Sequence, residues 1–201
     1  MIIVLAFVLA CRGCAEQSPP PAFDPQDHFG GVFEARDAVI RGDLAALPEA
    51  GRSIDATLPP ELPEAAQAAV DKIHSAAGFL VVSEDVEEGA DAVAELGVAC
   101  GDCHRAMGRS FDAAKLVDGL ATPGSHAEAA DIGWAALVAG DAAQLEQALT
   151  RLAELEPAAE DPVDPDAAEL SPPQAYAAAL ARCSACHAER GVVIKKMPGS
   201  P

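Results

Sequence analysis

From Asp27 onward, apolar positions recur at three- and four-residue spacing between polar ones, the pattern of helices that bury one face. The pattern predicts four helices in the first half, over 28–41, 43–57, 62–82 and 85–107. Pro48 is expected to interrupt the second, and Pro59-Pro60 to precede the third. In the second half it predicts helices over 126–139, 141–156 and 172–190, with the acidic, Pro-rich stretch 157–165 as a loop. Nothing reads as a strand, so the expected fold class is all-α.

The two halves repeat one unit. His28 opens a helical stretch that runs to Arg41-Gly42-Asp43-Leu44, and His126 opens one that runs to Ala139-Gly140-Asp141-Ala142. Both His-to-Gly separations are 14 residues (42 − 28 and 140 − 126). In each unit the glycine is expected to end one helix and the aspartate to cap the next. On a helix His28 shares a stripe with Val32, Ala35 and Val39, and His126 shares one with Ala130, Gly133 and Leu137, so each histidine goes with the buried face. The separation from this histidine to the first motif cysteine is 72 residues in the first unit (100 − 28) and 57 in the second (183 − 126). The difference amounts to about four helical turns, so the second unit is expected to lack most of its third helix. The expected organisation is two tandem helical bundles, a four-helix unit over 27–119 and a reduced unit over 120–191, with a tail over 192–201.

Each unit ends in Cys-x-x-Cys-His, as Cys100-Gly101-Asp102-Cys103-His104 and as Cys183-Ser184-Ala185-Cys186-His187. This is the sequence requirement for covalent c-type haem attachment. Thiols three residues apart lie on one helix face and can reach the two vinyl groups of one porphyrin. The histidine projects from the same face, where it can bind the iron as the proximal ligand. A zinc site built from Cys-x-x-Cys pairs would not need a histidine after each, and a thioredoxin-type redox motif would want a strand before it. The expected cofactors are therefore two c-type haems, held by Cys100, Cys103, Cys183 and Cys186, with His104 and His187 on the irons.

Half the residues are hydrophobic but only 4% are aromatic, and alanine dominates, which favours closely packed helices and makes the haems themselves a source of apolar bulk. The net charge of −19 argues against nucleic acid and against adsorption on anionic lipid; it keeps the chain soluble and suits a redox partner with a basic docking surface. Residues 1–10 form a short apolar run that reads as a signal-peptide core. Val8-Leu9-Ala10-Cys11 resembles the bacterial lipobox, which implies lipidation at Cys11; Cys14, behind Arg12-Gly13, matches it poorly. The stretch 11–26 then becomes a Pro-rich tether between a lipid anchor and the folded part. The expected location is the periplasm or cell envelope.

Four helices with Cys-x-x-Cys-His near the end of the last one resemble the class II c-type cytochromes, the cytochrome c′/c556-like group. The resemblance extends over residues 27–190 as helix pattern and motif position. It implies a helical bundle with haem at one end and electron transfer or gas binding as the activity. In c556-like members a methionine near the start of the first helix supplies the sixth ligand, and in c′ an apolar residue blocks that side; this chain departs from both, with His28 and His126 at the corresponding place. The resemblance thus implies bis-histidine haems, each distal histidine serving its own unit, with exchange between units left open. The leading expectation is an electron-transfer protein rather than an enzyme. The alternatives left open are a dihaem peroxidase, a cytochrome c′-like gas binder with an open sixth position, or an accessory subunit of a larger redox complex. His74 is expected at the surface, Met107 on the proximal side, Met197 in the tail, and Trp134, Phe29, Phe33 and Phe79 as core or haem-packing residues.

Overall fold

Caps and glycines set the helix boundaries. The computed structural model describes residues 25–58, 62–109, 121–122, 124–155 and 170–193, with side chains from Phe29 onward. These residues form seven α-helices and two short 3-10 turns, with no strand among them, so the fold is all-α. Helix α1 (Pro25–Arg41) ends at Gly42, where φ is 68°. There the Asp43 N–H donates to the Ala38 carbonyl at 2.8 Å and the Gly42 N–H to the Val39 carbonyl at 2.9 Å, the paired bonds of a Schellman stop. Helix α5 (His126–Ala139) ends the same way at Gly140, with φ 69° and bonds from Asp141 to Ala136 at 2.9 Å and from Gly140 to Leu137 at 3.0 Å.

Between these ends, a 3-10 turn over Leu44–Ala46 leads into α2 (Leu47–Ala56), and a second turn over Glu64–Ala66 leads into α3 (Gln67–Val82). Helix α4 (Val86–Ala106) starts on Asp85, whose carboxylate accepts the Glu88 N–H at 2.8 Å. Helix α5 starts on Ser125 in the same manner, with Glu128 donating at 3.1 Å. Helices α6 (Ala142–Leu155) and α7 (Pro172–Glu189) complete the chain.

Two local expectations change. Pro48 does not interrupt a helix. It occupies the first turn of α2, where its missing N–H costs nothing. Asp141 caps α6 by accepting the Gln144 N–H at 3.0 Å, but Asp43 makes no side-chain cap, because a 3-10 turn follows it instead of a helix. The stretch 156–169, where the second unit was expected to lack its third helix, lies outside the described residues, as do the signal, the tether up to residue 24 and most of the tail. The last two residues of the expected tether, Pro25 and Gln26, instead form the first turn of α1, where proline is tolerated.

Packing ties the units together. Helix α4 lies against α1, α3, α5 and α7, while α7 lies against α1, α4 and α6. One continuous buried cluster runs from Val32 and Val39 through Leu80 and Leu96 to Trp134, Tyr176 and Leu180. Small residues make this possible, since Ala35, Ala38, Ala76, Ala77 and Ala99 are all buried between helices. Trp134 and Tyr176 are the largest fully buried side chains, and Tyr176 satisfies its hydroxyl by donating to the Ala130 carbonyl at 2.8 Å. The expected stripes hold for their small and aliphatic members, with Val32, Ala35 and Val39 buried, as are Ala130, Gly133 and Leu137. His126 is exposed, a correction to its expected place on the buried face, because it opens α5 at the helix end, and the His28 side chain lies outside the described residues. Phe33 packs on this core, whereas Phe79 is 53% exposed, a correction to its expected place in the interior. It is in the last turn of α3, where it lines an open groove with Glu88, Asp91 and Glu95 of α4.

Candidate functional site

The first motif occupies the last two turns of α4, where a helix spacing of three and four brings its reactive groups to one face. Cys100, Cys103 and His104 are buried, at 4%, 6% and 8% exposure. Burial, reinforced by the neighbouring Cys103, pushes the Cys100 thiol up to about 12, and burial also raises Cys103. Burial lowers the His104 imidazole, with the Val138 carbonyl opposing it. The four motif cysteines are not joined in disulfides. A dithiol oxidoreductase needs an accessible, low-pKa thiolate, the opposite of this pair.

The second motif occupies the last turns of α7 and is more open. Cys183, Cys186 and His187 are half-buried. His126, at the first position of α5, faces His187, with ring centroids 6.2 Å apart and planes inclined at 49°. Rings at that distance and tilt are not stacked. Two metal–imidazole bonds of about 2.0 Å each, with each donor nitrogen about 1 Å from its ring centre, separate centroids by about 6 Å. The separation of the pair thus equals that of two imidazoles sharing one metal ion. No protein-family model, curated protein or solved structure matches this chain.

Each motif histidine also touches the unit to which it does not belong. The ring Nδ1 of His104 lies 3.2 Å from the Val138 carbonyl of α5, and that of His187 lies 3.2 Å from the Ile40 carbonyl of α1. Small residues inside the motifs permit the approach. A Cβ on Gly101 would come within 2.6 Å of the Leu137 carbonyl and 3.3 Å of the Gly140 Cα. At the matching place in α7, Ser184 is so close to Gly42 that a Cβ on that glycine would sit 2.8 Å from its Oγ. Each motif helix thus docks on the Gly-Asp turn of the opposite unit.

A buried ion pair crosses the same boundary. Arg36 of α1 meets Asp131 of α5 at 2.7 Å and Asp37 at 2.8 Å, and its guanidinium lies 5.4 Å from the Phe33 ring centre. Phe33 in turn meets Trp134 edge-on at 6.4 Å. Burial raises the Asp131 carboxyl above the usual range, with Arg36 opposing that shift.

The remaining expected residues are spread out. His28 lies in α1, one turn before Val32, with its ring outside the described side chains. Cys11, Cys14 and Met197 lie outside the described residues. His74 is exposed and pairs with Asp55, as a surface residue should. Met107 caps the end of α4 beside His104. Among the described residues no three His, Cys, Asp or Glu side chains gather into a cage for a bare metal ion. A haem iron asks less, since the porphyrin fills four positions and the protein supplies one donor per face. No described helix is long and apolar enough to cross a membrane. The sequence reading missed the Ile40 and Val138 carbonyls and the Arg36–Asp131 pair. The signal for the first was present in the Gly-Asp turns, matched in both units at 14 residues from a histidine.

Proposed function

We propose that this chain is an exported, lipid-anchored dihaem c-type cytochrome that passes electrons between partner proteins. The reading rests on two Cys-x-x-Cys-His motifs at helix ends, one of which has a second imidazole 6.2 Å across from its own. Each unit is a haem-binding bundle: Cys100 and Cys103 hold one haem and Cys183 and Cys186 the other, through thioethers. His104 and His187 are the proximal ligands, and His28 and His126 the distal ones. When bound, each haem supplies a one-electron iron couple, and histidine on both sides lowers its potential relative to His/Met ligation.

The chain's own residues do the rest. The helix ends orient the imidazoles, the alanine-rich core excludes water from the first motif, and the acidic surface favours a basic redox partner over nucleic acid. Cys11 carries the lipid, with the Pro-rich tether giving the bundle reach from the membrane.

Denaturing mass spectrometry of the exported protein should show two haem additions that survive acid extraction, and a lipid on the peptide that begins at Cys11. Absorption and electron paramagnetic resonance spectra should show two low-spin irons. His126→Ala should turn one of them high-spin and open it to carbon monoxide. A mature protein with one haem or none ends the reading. Two haems that are already high-spin in the wild type, and that bind carbon monoxide, replace it with a gas-binding or peroxidase function.

A further inference from the structure

The Schellman stops at the ends of α1 and α5 use particular carbonyls and leave a particular one over. In α1 the Ala38 and Val39 carbonyls accept from Asp43 and Gly42; in α5 the Ala136 and Leu137 carbonyls accept from Asp141 and Gly140. The next carbonyl along, Ile40 in one case and Val138 in the other, is the one each motif histidine meets. A carbonyl can only accept, so Nδ1 of each ring carries the proton and Nε2 keeps the lone pair that binds metal. The acceptor also stands at the negative end of a helix, where the summed backbone dipoles favour a polarised N–H.

The pairing is crossed and regular. Ile40 and Val138 are 98 positions apart, as are His28 and His126, and Gly42 and Gly140 (138 − 40, 126 − 28, 140 − 42). Each of these helices therefore carries a histidine in its first turn and ends at the motif histidine of the other half of the sequence. In α5 the first end is visible directly: His126 lies beside His187, and twelve residues later Val138 meets His104.

Taking the two-haem reading as its basis, we propose that the Ile40 and Val138 carbonyls are positioning groups for the iron-binding imidazoles of the opposite units, so that α1 and α5 each couple the two haem sites. A ring whose Nδ1–H is held this way is fixed in tautomer and rotation, and its Nε2 is the more basic for it. A displacement of either helix end is then felt at the far haem and not at the near one.

Two measurements on the full-length holoprotein test this, after its haems have been counted by mass. With carbonyl-labelled isoleucine and nitrogen-labelled histidine in the wild type, solid-state magnetic resonance should detect His187 Nδ1 about 4 Å from the Ile40 carbonyl carbon. A separation beyond bonding reach overturns the proposal whatever the haem count. Gly42→Ala should strain the left-handed stop of α1 and speed exchange of the His187 ring proton roughly tenfold. His104 should be unchanged. Gly140→Ala should do the reverse. Effects confined to each glycine's own unit, or equal at both histidines, overturn the crossed coupling. Absence of haem with the His187–Ile40 contact intact would instead count against the two-haem reading.

Discussion

The motif ending α4 and the motif ending α7 share five-residue chemistry and a helix-end acceptor, yet they stand in different surroundings. Cys100, Cys103 and His104 are enclosed because α4 has neighbours on several sides: α3 along its length, α5 at Gly97 and Gly101, α1 and α7 beyond. Helix α7 also has four described helix neighbours, α1, α4, α5 and α6, but they leave its last turns partly open, so Cys183, Cys186 and His187 keep partial access to solvent. The same motif is a buried, desolvated site in one place and a surface-reachable site in the other. The surroundings of the motif, not the motif, decide which. For two haems this difference would place one nearer to partners and one deeper in the molecule.

Thiol chemistry gives the largest contrast. In chain produced without haem attachment, an alkylating reagent at about pH 8 should modify Cys183 and Cys186 first. The Cys100 thiol, buried and pushed up to about 12, should react far more slowly. Peptide mapping over time measures this, and equal rates would erase the distinction between the sites.

The ion pair joining the units comes next. Arg36→Met should leave Asp131 buried without its partner and cost about 3–5 kcal/mol in urea denaturation at about pH 7. Asp131 already sits above the usual carboxylate range through burial, and losing Arg36 raises it further. A carboxyl with a higher pKa folded than unfolded makes the native state bind the extra proton. Stability is then lost as pH rises through the folded value and returns as pH falls below it. The variant should recover part of its loss in the acid range.

Exchanging the residues after the first cysteines sharpens the comparison. Gly101→Ser puts a Cβ against the backbone of Leu137 and Gly140 and should cost about 2–3 kcal/mol. Ser184→Gly removes a hydroxyl beside Gly42 without creating a clash and should cost about 1 kcal/mol, chiefly from backbone entropy. Thermal denaturation of the two variants compares them directly. The smallest difference concerns the two aspartates after the glycines. Asp141→Ala removes the Gln144 cap and should cost about 1 kcal/mol, while Asp43→Ala removes no cap and should be near neutral by the same assay.

Most helix boundaries were legible because their causes are local. Ser125 and Asp85 as starts, and Gly42 and Gly140 as stops, lie in the sequence beside the helices they bound, and the 126–139 helix is found as read. Pro48 was misread since the same ring that breaks a helix interior begins one. Phe79 was misplaced since an aromatic residue in a helical stripe gives no sign that its neighbouring face lacks a partner. The placement of both motifs at helix ends was legible by spacing. The carbonyls that hold the imidazoles were not, because periodicity reports which face of a helix is buried and says nothing of which distant helix covers it. Backbone acceptors carry no residue identity at all.

The constant offset of 98 has a last consequence at the Arg36–Asp131 pair. It makes Phe33 the counterpart of Asp131 and Arg36 the counterpart of Trp134, so the two contacts Phe33–Trp134 and Arg36–Asp131 are one contact related by a pseudo-twofold axis and filled with different chemistry. Two first units brought together about such an axis would face each other with two guanidiniums, balanced only by their own Asp37. Two second units would enclose a pair of carboxylates against tryptophan. Only the mixed arrangement sets an aromatic against an aromatic and a cation against an anion. Within the chain, the seam thus matches each side chain to a partner of complementary chemistry.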